Sequence, residues 1–152
     1  MAQLDTSEIV RHLYQAFNDK DLDRLLGYAQ PDAKVLNVPF GKTLGFRDYF
    51  SNWMTAFPDG QIEIVNLVAS GDYVVAEYIG RGTNTGLMQG PDGELSPTQR
   101  PVGMRFCEIY DLRDGKVAGG RVYFDAATMM RQLEVPIAPS QRPTVVQPGF
   151  QH

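Results

Sequence analysis

The segment DGKVAGGRVYFD, residues 114–125, decides the fold of this chain. Its first two residues, Asp114-Gly115, lie between two β-rich runs and predict a hairpin turn, because both tolerate the positive φ that such a turn requires. A strand is therefore predicted from Lys116, with side chains that alternate between its two faces. One face is then polar and the other apolar, with Arg121, Tyr123 and Asp125 on the first and Ala118, Val122 and Phe124 on the second.

Asp125 also directly precedes a helix-like run over residues 126–133. Aspartate is a preferred N-cap residue, because its carboxylate accepts a hydrogen bond from a free backbone N–H of the first helical turn. The sequence therefore leaves two interpretations of Asp125 open. It is either a helix cap or an acid/base group at the end of the strand.

Length and composition predict one acidic globular domain. The chain has 152 residues, a formal net charge of −4 and 43% hydrophobic residues. This length fits a single domain over residues 1–134, and prolines in residues 135–152 predict a C-terminal tail that is extended or disordered. The absence of a basic field argues against nucleic acid and membrane partners. No signal peptide is recognised and no run reaches the ~20 apolar residues of a membrane span, so a cytoplasmic location is expected.

Cysteine and histidine are too scarce for a disulfide or a zinc site. Cys107 is the only cysteine, and His12 and His152 are the only histidines. Carboxylate-bound Mg²⁺ stays open, but no pattern indicates it, so we expect no metal and no cofactor. Cys107 lies in an apolar strand and is interpreted as a buried, inert thiol.

Apolar spacing and turn residues predict three helices followed by most of the strands. The helices are expected over residues 6–18, 22–28 and 45–57, and the third carries an aromatic stripe that includes Trp53, which is more often core than a cofactor site. Short turns such as Gly71-Asp72 make the sheet mostly antiparallel and the class α+β. The strands are expected over residues 33–38, 61–69, 73–83, 102–112 and 116–124, and residues 84–101 form a long loop.

Three segments resemble the SnoaL-like polyketide cyclase (ester cyclase) group of the nuclear-transport-factor-2-like superfamily. They are Ala56-Phe57-Pro58-Asp59-Gly60, Arg81-Gly82-Thr83-Asn84-Thr85-Gly86, and residues 114–125 together with Arg131-Gln132-Leu133. The similarity covers about residues 5–134. It implies a curved, mostly antiparallel sheet that three N-terminal helices wrap into a cone, a deep pocket in its mouth, and usually a dimer across the sheet.

The resemblance also implies a catalytic aspartate. In the polyketide cyclases of this group, an aspartate that matches Asp125 is the proposed acid/base of an intramolecular aldol condensation that needs no metal or cofactor. Desolvation by Met129, Tyr123 and aromatic helix residues would raise the pKa of Asp125 and make it a stronger base. Tyr123 and Arg121 would donate to the developing enolate. Alternatively, Arg121 pairs with Asp125 or Glu108 and keeps Asp125 ionised.

Six further residues are predicted to line the substrate pocket, namely Asn37, Asn84, Glu108, Tyr78, Trp53 and Met129. Superfamily relatives often carry His at the two Asn positions, and Asn can orient a carbonyl but cannot exchange protons near neutral pH. Asn37 stands where ketosteroid isomerases of the superfamily place their catalytic aspartate, which argues against that mechanism. Glu108 roughly matches the acid of their oxyanion hole. In its apolar strand face, a carboxyl is either functional or paired with Arg.

Three functions remain open at this point. The first is a cofactor-independent lyase or isomerase acting on a small hydrophobic carbonyl compound, best specified as the aldol cyclisation of a polyketide-like methyl ester. The second is an epoxide hydrolase, in which Glu108 would face Asp125 across Arg121 to activate water. The third is a non-catalytic binding or dimerisation module, for which a pocket plugged by Trp53 would argue.

A homodimer is expected across the sheet face that the helices leave uncovered. Residues assigned to this face carry little charge, so a second copy should cover it. The residues expected on this uncovered face are Val74, Ala76, Cys107 and Ile109.

Overall fold

The computed structural model describes residues 5–136. Most of the predicted tail, residues 137–152, therefore lies outside the described residues, as do residues 1–4. The described elements are α1 (Thr6–Asn18), α2 (Leu22–Leu26), β1 (Ala29–Asn37), β2 (Lys42–Gly45), α3 (Phe46–Ala56), β3 (Gln61–Ser70), β4 (Tyr73–Thr83), β5 (Met88–Gly90), β6 (Gly93–Leu95), β7 (Pro101–Arg113), β8 (Lys116–Tyr123) and α4 (Ala126–Leu133). No helix among residues 5–136 is both long and apolar enough to cross a bilayer.

Six strands form one curved sheet in the order β2-β1-β8-β7-β4-β3. Neighbouring strands are antiparallel except β1 and β8, which run parallel. The short strands β5 and β6 form a separate hairpin. The α+β class and the mostly antiparallel sheet are therefore confirmed.

The turn at Asp114-Gly115 forms as the sequence predicts. Both residues have positive φ, 53° and 73°, which is the backbone geometry that matches the twist of the two flanking strands. β8 accordingly begins at Lys116 and pairs antiparallel with β7. This hairpin places Glu108 of β7 directly beside Val122 of β8.

The helices cover one face of the sheet, here called the inner face. Leu13 of α1, Phe50 of α3 and Met129 of α4 are buried, and so are Val74 of β4 and Val122 of β8. The expected packing of the helical apolar stripes against the sheet is thus observed, with α4 as an additional covering helix. Burial of apolar area is the main favourable term in folding, so it selects the apolar side of each strand for this face.

The outer face differs in part from the prediction. Val74 and Ala76 were assigned to it, but both are fully buried on the inner face. Cys107 and Ile109 do lie on the outer face, opposite Tyr123 and Arg121. The assignment failed because it mixed residues of both parities, whereas adjacent positions of a strand point to opposite faces.

Short strands are the elements that the sequence did not predict. β2, β5 and β6 have three or four residues each, which is too few for a recognisable alternation. The β5–β6 hairpin is held against α3, since Gln89 donates its backbone N–H to Asn52 Oδ1 at 2.9 Å. β1 begins at Ala29, earlier than expected, and contains Pro31 where its register against β8 shifts. Proline is tolerated at such irregular positions because no ladder hydrogen bond is required of it.

Candidate functional site

A cavity lies on the inner face, between the helices and the strands β3, β4 and β7. Its wall is largely aromatic, because α3 turns one stripe of rings toward the sheet. Three of its residues were predicted to line the pocket, namely Tyr78, Trp53 and Met129. Their contact with a substrate stays a prediction. Trp53 is half-buried and packs edge-on against Tyr49 and Phe106 along the wall.

Glu108 is a carboxyl group that is buried in the core of the protein. The side chains of β7 alternate between exposed and buried, and this alternation points Glu108 to the inner face, where its exposed fraction is 0%. Tyr78 Oη donates to Glu108 Oε1 at 2.8 Å. Tyr14 Oη lies 3.0 Å from the same oxygen, and Tyr49 Oη lies 3.4 Å from Oε2.

A fourth tyrosine completes this cluster. Tyr110, two residues along β7 from Glu108, is buried on the same face, and its hydroxyl lies 3.1 Å from that of Tyr14. Three hydroxyls thus bond the carboxylate, which can accept about four hydrogen bonds, and Tyr110 lies beside them. These four residues, Tyr14, Tyr49, Tyr78 and Tyr110, are called the tyrosine cluster. The sequence left Glu108 as functional or paired with Arg. Among the described residues its partners are tyrosine hydroxyls, and no ion pair with Arg is found.

Burial sets the protonation behaviour of this cluster. Loss of solvent raises the pKa of Glu108 above its ordinary value of 4.5, and the tyrosine hydrogen bonds oppose that shift. Burial, reinforced by the Glu108 charge, raises the pKa of Tyr49 and Tyr78 well above 10. The tyrosines are therefore neutral hydrogen-bond donors at physiological pH, while Glu108 is a better proton acceptor than an exposed glutamate.

Two tyrosines connect the buried carboxyl to the cavity. Tyr49 and Tyr78 both line the cavity and both hydrogen-bond Glu108, on different carboxyl oxygens. Each hydroxyl has a single proton, so a hydroxyl that donates to a ligand oxygen has to release its bond to Glu108. The bond of Tyr49 to Glu108, at 3.4 Å, is longer than that of Tyr78, at 2.8 Å.

Asp125 lies at the start of α4 and caps it. Its carboxylate accepts from the Thr128 backbone N–H at 3.2 Å and from Thr128 Oγ1 at 2.9 Å. The side-chain and backbone hydrogen bonds from Thr128 lower the pKa of Asp125, the opposite of the shift expected for a desolvated base. Its side chain is exposed and is not part of the cavity wall. The structure therefore shows Asp125 as the helix cap, and its catalytic role stays a prediction.

Arg121 and Tyr123 lie on the outer face, away from the cavity. Their strand neighbour Val122 is fully buried on the inner face, so side-chain alternation turns both of them outward. The expected group of Asp125, Tyr123 and Arg121 around a substrate is therefore not assembled. The alternation placed Arg121 and Tyr123 on one face of β8 correctly, but hydrophobic burial directs the other face of β8 toward the helices.

The same separation affects the predicted water-activating arrangement. It required Glu108 to face Asp125 across Arg121, whereas Glu108 lies on the inner face and Arg121 on the outer face. The sheet itself stands between these two side chains. The geometry for epoxide hydrolysis is therefore not formed by these three residues.

The two predicted asparagines hold loops in place. Asn37 Oδ1 accepts from the Phe40 backbone N–H at 3.1 Å in the turn after β1. Asn84 Nδ2 donates to the carbonyls of Ala56 and Gly86, while its Oδ1 accepts from the N–H and the hydroxyl of Thr98. These four bonds use the whole capacity of the Asn84 amide. The expectation that Asn84 orients a substrate carbonyl is therefore corrected, because its amide has no hydrogen bond left to give.

Tyr14, Tyr49 and Tyr110 are not among the site residues that the sequence predicts. Tyr14 lies among the buried apolar residues of α1, and Tyr49 among those of α3. A usable signal was present, because a buried tyrosine needs a partner for its hydroxyl. A glutamate predicted on an apolar strand face needs donors in the same way.

The chain has an α+β fold of the kind described as ketosteroid-isomerase-like. A protein from Catenulispora acidiphila, described as having that fold, has a TM-score of 0.68 and 17% identity over 87% of this chain and 98% of that chain. The family model of the SnoaL-like polyketide cyclases matches residues 7–133. This chain therefore belongs to the SnoaL-like polyketide cyclase family.

Two further solved structures are similar. IdmH from Streptomyces antibioticus, a proposed polyketide cyclase, has a TM-score of 0.69 and 27% identity over 87% of this chain and 100% of that chain. AclR from Streptomyces galilaeus, a proposed hydroxylase, has a TM-score of 0.72 and 21% identity over 91% of this chain and 87% of that chain. No match was found among curated proteins.

The raised pKa of Glu108 predicts how its stability contribution depends on pH. Above its ordinary value of 4.5, the folded state holds a proton that the unfolded state has lost, so rising pH favours unfolding. The unfolding free energy of the wild type, relative to Glu108→Gln, should therefore fall as pH rises above that value. Urea denaturation of both proteins across this range measures the difference.

The matched control for this experiment is Glu94→Gln, which changes an exposed glutamate of β6. The difference in unfolding free energy between the wild type and Glu94→Gln should vary far less with pH. If the unfolding free energy of the wild type relative to Glu108→Gln stays constant or increases as the pH rises, the raised pKa of Glu108 is contradicted.

Proposed function

We propose that this chain is a cytoplasmic, cofactor-independent acid/base catalyst for a small hydrophobic carbonyl compound, with an intramolecular aldol cyclisation as the reaction class. One observation carries the proposal: Tyr49 and Tyr78 line the cavity while their hydroxyls bond the buried Glu108. Membership in the SnoaL-like polyketide cyclase family supports the reaction class. The aromatic wall supports a hydrophobic substrate.

In the proposed reaction, the hydroxyl of Tyr49 releases its bond to Glu108 Oε2, which is long at 3.4 Å, and donates its one proton to the carbonyl oxygen of the substrate. As the neighbouring carbon loses its proton, negative charge develops on that oxygen, and the Tyr49 hydroxyl stabilises it. Tyr78, which donates to Glu108 Oε1 at 2.8 Å, takes up the carbon-bound proton and passes its own hydroxyl proton to Glu108. The substrate becomes an enolate and Glu108 becomes a neutral acid, so proton and charge balance.

Glu108 suits this role because burial raises its pKa. A general base is most effective when its pKa is raised toward the operating pH. Asp125, whose pKa is lowered by its capping hydrogen bonds, is the weaker base. In the second half of an aldol cyclisation, the protonated Glu108 returns its proton through the same tyrosine to the new alkoxide.

The proton transfer can be tested without the natural substrate. The two-ring ketone 2-tetralone has acidic C–H groups beside its carbonyl, and proton NMR in D₂O reports their exchange for deuterium. The wild type should accelerate this exchange. Glu108→Gln and Tyr78→Phe should each lower the rate on the order of 10²- to 10⁴-fold. Tyr110→Phe is the matched control, because Tyr110 contacts Glu108 without lining the cavity.

Asp125→Asn separates the two candidate bases. Asparagine caps a helix about as well as aspartate, so this variant should fold normally and keep the exchange rate. Loss of exchange in Asp125→Asn, with activity retained in Glu108→Gln, would assign the base to Asp125. A wild type that does not accelerate exchange would contradict carbonyl chemistry and favour the binding module.

We also propose that a second copy of this chain covers the outer face. Val68, Tyr73 and Val75 are exposed there, with 57%, 54% and 37% of their surface accessible. Beside them, Arg121 Nε is buried without a hydrogen-bond acceptor among the described residues. Buried donors are normally satisfied, and a second copy could supply the acceptor. Cys107 lies half-buried on this face, and burial raises its thiol pKa.

Sedimentation velocity tests the homodimer. The wild type should sediment as a dimer at micromolar concentration, and Val75→Arg should sediment as a monomer, because it places a charge in the apolar part of the face. Leu87→Arg is the matched control, since Leu87 is equally exposed but lies in the loop before β5. A monomeric wild type, or equal effects of the two variants, overturns this proposal.

A further inference from the structure

Gly80 stands out among the residues that face the cavity. The inner face of β4 presents Tyr78, Gly80 and Gly82 in succession, opposite Phe106, Met104 and Val102 of β7. Inward positions of a sheet usually carry side chains that fill the core. Gly80 and Gly82 leave room on this face that a side chain would otherwise fill, and both of them line the cavity.

The two glycines have different reasons to lack a side chain. A Cβ at Gly82 would lie 3.0 Å from Phe57 Cβ and 3.2 Å from Gly60 Cα, so the loop after α3 approaches it closely. That loop also bonds β4, because Asp59 Oδ1 accepts from the Thr83 N–H at 2.8 Å. Gly82 is thus explained by packing of the chain against itself.

No such constraint acts on Gly80. Its φ is not positive, so alanine could adopt the same backbone conformation. No backbone atom approaches it, and the nearest atoms all belong to the ring of Phe106, with Cε1 at 2.8 Å from the position of an added Cβ. Glycine inside a strand costs stability relative to residues with side chains. Glycine at position 80 leaves room for the ring of Phe106 and for the cavity.

The position of the Phe106 ring affects the catalytic tyrosine. Phe106 stacks on Tyr78 with ring centroids 5.2 Å apart and an interplanar angle of 10°. It also packs against Trp53 and Phe124 on its other sides. A methyl group at position 80 would itself enter the cavity and would press the Phe106 ring toward these neighbours, so the cavity would narrow.

We infer that Gly80 is a specificity-determining residue that sets the width of the cavity through the ring of Phe106, so that wide ligands enter only while position 80 has no side chain. This inference rests on the proposed function, because it takes the inner cavity as the ligand site. A single extra methyl group in an apolar pocket changes discrimination between ligands by roughly 10- to 200-fold. Gly80→Ala should therefore reject wide ligands and retain narrow ones.

The probes are 2-naphthol, with two fused rings, and phenol, with one ring, and isothermal titration calorimetry measures their binding. Gly80→Ala should lose affinity for 2-naphthol by about tenfold or more and keep its affinity for phenol within about twofold. A merely structural defect would weaken both probes alike. Gly103→Ala is the matched control, because Gly103 lies exposed on the neighbouring strand and an added Cβ would meet only Arg81 Cγ at 3.8 Å.

A double variant tests whether Phe106 transmits the effect. Gly80→Ala/Phe106→Leu removes the ring that the added methyl group would strike, so Gly80→Ala should cost much less 2-naphthol affinity in the Phe106→Leu background than in the wild type. If Gly80→Ala alone fails to fold, the double variant can still be measured, because its added methyl group does not meet a ring at position 106.

The outcomes separate this inference from the proposed function. The width inference is overturned by equal losses for both probes, by no loss for either, or by an effect of Gly80→Ala on 2-naphthol binding that is as large in the Phe106→Leu background as in the wild type. Binding of the probes by the wild type leaves the proposed function intact in each of these cases. A wild type that binds neither probe removes the cavity as a ligand site, and both proposals then fail.

Discussion

A carboxyl group without access to solvent has to be satisfied by the protein, and in this chain that requirement falls on Glu108. An unpaired buried charge costs far more than a hydrogen bond provides. The donors come from α1, α3 and β4, each of which contributes one tyrosine of the cluster. The helices are consequently tied to the sheet by polar bonds at one point of an otherwise apolar core. The same bonds hold the hydroxyls of Tyr49 and Tyr78, the two tyrosines of the cluster that line the cavity, toward Glu108.

The proposed function depends on this arrangement. A purely apolar wall could hold a flat ligand but could not act on it. In the proposal, the neutral Tyr49 and Tyr78 of the wall contact the ligand, while the titratable Glu108 stays buried behind them. The low effective dielectric around Glu108 strengthens each hydrogen bond of the cluster. Gly80 and Phe106 then determine how wide a ligand can approach these hydroxyls.

Local features of the sequence predicted local features of the fold. The Asp114-Gly115 turn, the bounds of α1 and β4 and the antiparallel pairing all follow from short-range patterns. The candidate site did not follow in the same way, because Tyr14 and Glu108 are 94 positions apart and meet only when α1 packs on the sheet. Strand alternation grouped Arg121 with Tyr123 correctly, yet it could not tell which face the helices cover. The role of Asp125 as a helix cap depends only on neighbouring residues, and the structure contains the cap that the sequence indicates.

A crystal structure of the protein with bound 2-tetralone tests the central claim most directly. The account predicts the ketone oxygen in the inner cavity, within about 3.2 Å of the hydroxyl of Tyr49 or Tyr78, with Glu108 still bonded to the tyrosine cluster. A ketone oxygen bound to Asp125, a ligand on the outer face, or a ligand in the cavity whose oxygen points away from both hydroxyls would contradict it.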